Sequence, residues 1–181
     1  MLVLLDRDGV LNEDRADFVK TPAELVMIPG AVAAVARLNA AGHLVAVVSN
    51  QSGVGRGLMS EDDLDAVHAA LVSALGAAGG HLDALITCTD PPWAATARRK
   101  PGSGMLQEAL DQFDIAPDEA VMIGDATRDL EAAATLGVRR ILVRTGKGRA
   151  TEAELPAALH PVTIHDDLAA AVTALMAEAA S

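Results

Sequence analysis

Aromatic side chains are almost missing from this sequence. It has no tyrosine, one tryptophan (Trp93) and two phenylalanines (Phe18 and Phe113). The core must therefore be aliphatic, which suits strands sandwiched between helices. Cysteine is nearly absent too. Cys88 stands alone, so no intramolecular disulfide can form and nothing demands an oxidising compartment. No apolar run is long enough to span a bilayer. The opening run Met1–Leu5 leads straight into Asp6-Arg7-Asp8, is too short for a signal peptide and has no basic leader, so the expected location is the cytoplasm. Cations are the scarcer charge: 14 Lys and Arg against 25 Asp and Glu, a net charge of -11. Such a surface repels nucleic acid and anionic membrane, and neither is an expected partner. It repels phosphorylated metabolites as well, so a site for them has to gather cations locally.

What is present is alternation. Short apolar runs at 2–5, 44–48, 84–87, 120–123 and 140–143 are bounded by turn residues and read as buried strands. Helical spacing lies between them. Val32, Val35 and Leu38 end at Gly42. Ser60-Glu61-Asp62-Asp63 reads as a capping box before Leu64, Val67, His68, Leu71 and Leu75. Leu106, Ala109, Leu110 and Phe113 mark a third helix. Leu130, Ala133 and Ala134 mark a fourth, stopped by Gly137, and Leu168, Val172, Leu175 and Met176 a last one. Residues 89–104 and 146–161 are irregular. Strand and helix in series predict an α/β, Rossmann-like parallel sheet with helices on both faces, residues 1–181 forming one domain. The intervals from Asp8 to Ser49 and from Asn50 to Lys100 are too short for an inserted cap domain, so the expected site is open.

Ligands of such sheets bind beyond the carboxyl ends of the strands. Four polar clusters sit at those ends: Asp6-Arg7-Asp8-Gly9-Val10, Ser49-Asn50-Gln51-Ser52-Gly53, Arg98-Arg99-Lys100-Pro101 and Gly124-Asp125-Ala126-Thr127-Arg128-Asp129. Chemistry connects them. A phosphate monoester resists attack because its oxygens are negative. Mg²⁺ screens that charge and prefers hard oxygen ligands, which Asp6 and Asp125 supply. A carboxylate such as Asp6 can then attack phosphorus and form an aspartyl-phosphate. Asp8, two residues on, is placed to protonate the leaving oxygen and later activate water, and its carbonyl can reach the metal. Ser49 and Asn50 can donate to the transferring group, and Lys100 supplies a fixed positive charge.

The four ordered motifs resemble the haloacid dehalogenase superfamily of phosphatases. Asp6 through Val10 looks like the first motif, Ser49 the second, Lys100 the third, and Gly124-Asp125 with Asp129 the fourth. The resemblance implies Mg²⁺ and adds Asp129 as a carboxylate near the metal, acting through water or Lys100. A narrower resemblance rests on Asp6 through Asn12, on Ser49 through Gly57 and on Arg99-Lys100-Pro101. These look like the D-glycero-D-manno-heptose 1,7-bisphosphate phosphatases, which implies removal of the 7-phosphate and a substrate contact at Arg99. Histidinol-phosphate phosphatases carry similar motifs and remain an alternative. Members of these families often hold a structural zinc through two Cys-containing pairs. Here only Cys88 matches, with Asp90, Thr96 and Arg98 at the other positions, so no zinc is expected.

A calcium loop needs its glycine at the sixth position and follows a helix, whereas Gly9 comes early and after a strand. Gly53-Val54-Gly55-Arg56-Gly57 lacks the ending of a P-loop and reads as a turn with Arg56 near substrate. Lys147 and Arg149 read as a solvated loop, with a second-phosphate contact as the alternative. A different class, the phospho-receiver signalling module, also phosphorylates an aspartate on a parallel sheet, but its acceptor usually lies on a middle strand, away from the acidic pair.

Overall fold

A computed structural model describes residues 1–179. Its strands and helices alternate in chain order: β1 (Leu2–Leu5), α1 (Ala31–Ala40), β2 (Leu44–Asn50), α2 (Glu61–Ala77), β3 (Ala84–Cys88), α3 (Gly104–Phe113), β4 (Ala120–Gly124), α4 (Thr127–Leu136), β5 (Arg139–Val143), α5 (Gly148–Ala153), β6 (Thr163–His165) and α6 (Leu168–Ala179). All pairings are parallel and the strand order is β3-β2-β1-β4-β5-β6. β1 therefore lies between β2 and β4, where the winding direction of the sheet reverses. Such a reversal opens a crevice at the carboxyl edge.

The two faces follow from the period of two along each strand. Val3, Leu5, Val45, Val47, Val121 and Ile123 point to one side and pack against α1, α2 and α6 through Val35, Leu38, Leu71, Leu75, Val172 and Leu175. Leu2, Leu4, Ala46, Val48 and Met122 point to the other and meet α3 and α4 through Met105, Leu106, Leu110, Ala132 and Ala133. Burial on both faces explains why the strands read as unbroken apolar runs rather than alternating ones.

Local signals set the helix ends. The Ser60 hydroxyl accepts from Asp63 N, and the Asp63 carboxylate accepts from Ser60 N, so the capping box at α2 is formed. Gly137 closes α4 in the left-handed conformation. Two elements depart from the sequence reading. β6 has only three residues and an exposed end at Thr163, too brief for an apolar run. α5 occupies part of the stretch read as irregular, burying only Gly148 and Thr151, so it shows no amphipathic period.

Between β1 and β2 the chain holds a 3-10 turn at Pro22–Glu24 and α1, and between β2 and β3 it holds α2. These intervals leave the carboxyl edge of the sheet to loops.

Candidate active site

Asp6 follows β1 and is anchored through its N–H to Ile123 O of β4, 3.1 Å away. Its Oδ1 is crowded with donors: Arg7 N at 2.7 Å, Ser49 Oγ at 2.8 Å and Lys100 Nζ at 3.2 Å. Oδ2 accepts no hydrogen bond from the described residues, and its nearest cation is Arg128 Nη2 at 3.8 Å. Burial works to raise the Asp6 pKa, but Lys100, Arg128 and the donors from Ser49 and Arg7 outweigh it and hold the carboxyl below its ordinary value. Asp6 therefore stays ionised.

Lys100 is buried, and its Nζ reaches Asp129 Oδ1 at 2.7 Å and Val48 O at 2.8 Å. Burial opposes its charge, yet Asp129 and Asp6 raise its pKa above that of a free lysine. Asn50 grips the same residue from outside: its Nδ2 donates to Lys100 O at 2.9 Å and its Oδ1 accepts from Lys100 N at 3.0 Å. Asn50 thus fixes the lysine while also lining the cavity. Asp129, in the first turn of α4, additionally accepts from Ala126 N at 3.1 Å. Its burial holds its pKa above the usual carboxylate value despite Lys100.

Asp125 begins the loop after β4. Its Oδ2 accepts from Lys147 N at 2.8 Å, while Oδ1 is buried with no hydrogen-bond partner. Burial and the neighbouring Asp6 and Asp129 carboxylates push its pKa up to about 7. The approach depends on Gly9, at φ +84°, where a Cβ would overlap the Asp125 carboxylate. Asp6, Asp125 and Asp129 each offer an oxygen within 4.8 Å of the others. Three buried carboxylates, one with an orphaned oxygen, are a hard-oxygen donor set of the kind Mg²⁺ takes, so the residues present fit that ion.

Asp8 sits beside this cluster, clamped on both oxygens. Oδ1 accepts from Asn12 Nδ2 at 2.8 Å and from the fully buried Arg7 at 2.9 Å, and Oδ2 accepts from Gln51 Nε2 at 2.7 Å. Arg7, Asn12 and Gln51 carried no role in the sequence reading. Each lies inside one of the motif segments, but burial of a polar side chain has no local signature in sequence. The same holds for Arg128.

The carboxylates open on a cavity of about 410 Å³ lined by Arg15, Arg56, Arg99, Arg128 and Lys147 as well as Asp6 and Asp8. An acidic chain thus collects five of its cations at one opening. Arg56 lies over the rings of both Phe18 and Trp93, at 5.8 and 5.4 Å. Arg99 donates to Asp90 O at 2.9 Å. Lys147, read as a solvated loop residue, lines the cavity and pairs with Asp14 at 2.6 Å. Arg149 is exposed on α5 and outside the cavity lining.

At the positions where the resemblance would place zinc ligands, other chemistry operates. Asp90 Oδ2 accepts from Thr96 N at 2.8 Å and from Thr96 Oγ1 at 2.6 Å, closing the loop as a clasp. Arg98 turns away to pair with Glu108 at 3.0 Å.

A family model described as HAD-hydrolase-like matches residues 97–171. The D-glycero-β-D-manno-heptose-1,7-bisphosphate 7-phosphatase of Bordetella bronchiseptica is 41% identical over 180 residues, covering 98% of this chain and 99% of the relative. The same-named enzyme of Pseudomonas putida is 41% identical over 93% of this chain and 95% of its own length. Among solved structures, the D,D-heptose 1,7-bisphosphate phosphatase of B. bronchiseptica, complexed with magnesium and phosphate, superposes with a TM-score of 0.93 at 40% identity over 98% of both chains. That of Burkholderia thailandensis gives 0.75 at 40% identity over 97% of both. With identity at this level along nearly the whole length, the chain belongs to the haloacid dehalogenase superfamily of phosphatases, in the branch that contains the heptose 1,7-bisphosphate phosphatases.

Proposed function

We propose that this protein is a Mg²⁺-dependent phosphatase that removes the 7-phosphate of D-glycero-D-manno-heptose 1,7-bisphosphate. The observation that carries the reading is the state of Asp6. It is an ionised, buried carboxylate with one oxygen fixed by three donors and the other free beside the cavity. A rigid carboxylate with an unengaged oxygen is suited to in-line attack.

Asp6, Asp125 and the backbone carbonyl of Asp8 would hold the metal, with Asp129 in support, reaching it through water or acting through Lys100. The bound ion would supply charge screening for the phosphoryl oxygens. Asp6 forms a bond to phosphorus while the bond from phosphorus to the sugar oxygen breaks. Asp8 gives a proton to the departing oxygen. It then takes a proton from water as that water attacks the aspartyl-phosphate, which releases inorganic phosphate and restores Asp6. Lys100 neutralises charge on Asp6 and Asp129 throughout, and Ser49 keeps Asp6 from rotating. Arg56 and Arg99 contact the remainder of the substrate. The rings of Phe18 and Trp93 support the guanidinium of Arg56 in that task.

None of the relatives reported above is a histidinol-phosphate phosphatase or a receiver module. Residues 1–179 contain no helix long and apolar enough to cross a membrane. Cys88 is unpaired, which suits a reducing compartment, and a cytoplasmic location is part of the same proposal.

The test is a phosphate-release panel with heptose bisphosphate, other sugar phosphates and histidinol phosphate, run with Mg²⁺ and with a chelator. Heptose bisphosphate should turn over fastest, and the chelator should abolish activity. Asp6→Asn should fold normally and show no turnover. Faster release from histidinol phosphate would redirect the substrate assignment, and normal turnover by Asp6→Asn would remove the nucleophile.

A further inference from the structure

Of the cavity's cations, Arg56 and Arg99 are assigned to substrate, and Arg15 and Lys147 are paired with Asp17 and Asp14, which leaves Arg128. Arg128 is the second residue of α4, between Asp125 and Asp129 in sequence. A cation in the first turn opposes the helix macrodipole, so helix stability does not account for it. Its guanidinium is also idle. Arg128 donates no hydrogen bond to any described residue, its Nε is buried without a partner, and Nη2 stops 3.8 Å short of Asp6 Oδ2. An arginine whose task was to neutralise a carboxylate would engage it with two short parallel bonds. This one stands off, with about a third of its side chain exposed to the cavity it lines.

The free oxygen of Asp6 and the free donors of Arg128 face the same space. Lys100 holds the Oδ1 side of Asp6 and Arg128 faces the Oδ2 side. We propose that Arg128 is a catalytic residue that binds the phosphoryl group, donating from its guanidinium to a non-bridging oxygen during transfer and to inorganic phosphate before release. The proposal rests on the reading of Asp6 as the nucleophile. A tetrahedral anion seated on Oδ2 brings its oxygens into the gap that now separates Arg128 from Asp6. Charge balance agrees. Asp6, Asp125 and Asp129 face Lys100 and Arg128, so a divalent cation leaves the cluster with one positive charge. Without Arg128 that surplus vanishes, and so does much of the attraction for a dianion.

The test uses the full chain with saturating Mg²⁺ and measures inorganic phosphate binding by calorimetry for wild type, Arg128→Met and Arg128→Lys, beside kcat/KM and Mg²⁺ affinity. Arg128→Met should weaken phosphate by at least about tenfold, the loss of a charge-assisted contact, and lower kcat/KM by about as much or more, without weakening Mg²⁺. Arg128→Lys should recover part of both, having the charge without the planar fork. If Arg128→Met fails to fold, Arg128→Gln is measured in its place against the same thresholds. Wild-type phosphate affinity in the neutral variant overturns the proposal, whether or not Mg²⁺ binding tightens. Those outcomes leave Asp6 untouched. Failure of the underlying reading would show differently, as a wild-type protein that binds no phosphate in Mg²⁺ or an active Asp6→Asn.

Discussion

At the residue scale, the site is a compromise between stability and function, and Asp125 shows it most directly. Its carboxyl is buried among other carboxylates, with a pKa of about 7 against 3.8 for a free side chain. A folded-state pKa raised above the unfolded value means that the fold binds the proton more tightly. This contribution to stability is complete below about pH 3.8 and is lost as pH rises through 7. In metal-free protein at pH 8, ionised Asp125 therefore destabilises the fold. Asp125→Asn should remove that penalty and stabilise the metal-free protein at pH 8 by on the order of 2–4 kcal/mol, with little effect near pH 5. The same variant should lose the stabilising response to Mg²⁺. Thermal denaturation of both proteins at the two pH values checks this, and equal melting temperatures at pH 8 would remove the electrostatic argument. Asp8 makes a second case. Gln51 and Arg7 both donate to its Oδ2, so Gln51→Leu should loosen the carboxyl while Arg7 and Asn12 still hold it. Turnover should fall about tenfold, with Mg²⁺ affinity unchanged. Steady-state kinetics beside a Mg²⁺ titration separates the two effects.

At the scale of elements, what the sequence disclosed depended on whether a signal is local. The first five strands and five of the helices were legible because both depend on nearest-neighbour pattern: apolar runs for strands buried on two faces, and periodicity with caps for helices. β6 was not legible, since three residues at a sheet edge carry no period. Asp6, Asp8, Ser49, Lys100 and Asp125 were singled out for a different reason, because they fall in clusters at strand ends that the topology brings together, whereas the role of Asp129 came from the family resemblance. The clamps around them were not. Arg7, Asn12 and Gln51 act through burial and contacts that only the folded chain defines. The clasp across the loop before Lys100 is similar. Asp90 and Thr96 looked like missing metal ligands, yet they hold the loop by two hydrogen bonds to one carboxylate oxygen. That loop carries Trp93, which rests on Arg56, and Asp90 O, which accepts from Arg99. Thr96→Val removes the hydroxyl donor and keeps the backbone one. It should cost about 1 kcal/mol or less, the bond being exposed, and raise KM several-fold with kcat nearly unchanged. An unchanged KM would detach the clasp from substrate binding.

At the scale of the whole molecule, the metal and the fold are thermodynamically linked. Four segments distant in sequence meet at the cluster, supplied by the ends of β1, β2 and β4 and by the loop before α3. The two aliphatic cores position them, but the cores bury no charge. Within the carboxylate cluster Asp125 and Asp129 oppose folding when ionised, whereas Asp6 is held ionised by its partners, and Mg²⁺ binding to the folded chain alone must stabilise all of it. At a free concentration of 100 times its dissociation constant, the ion should add about 2.7 kcal/mol. For a chain of this length that corresponds to a rise in melting temperature of roughly 5–10 °C. The rise must also depend on pH with a definite sign. Asp125 has to release its proton to bind metal, so at a fixed Mg²⁺ concentration the increment should be large at pH 8 and shrink as pH falls below about 7. Ca²⁺, with its longer bonds and higher coordination number, should stabilise without supporting turnover. Scanning calorimetry across pH 5.5–8.5, with chelator and with each ion, measures all of this in one series. An Mg²⁺ increment that does not vary with pH would mean that the ion binds without displacing the Asp125 proton, and therefore somewhere other than this cluster.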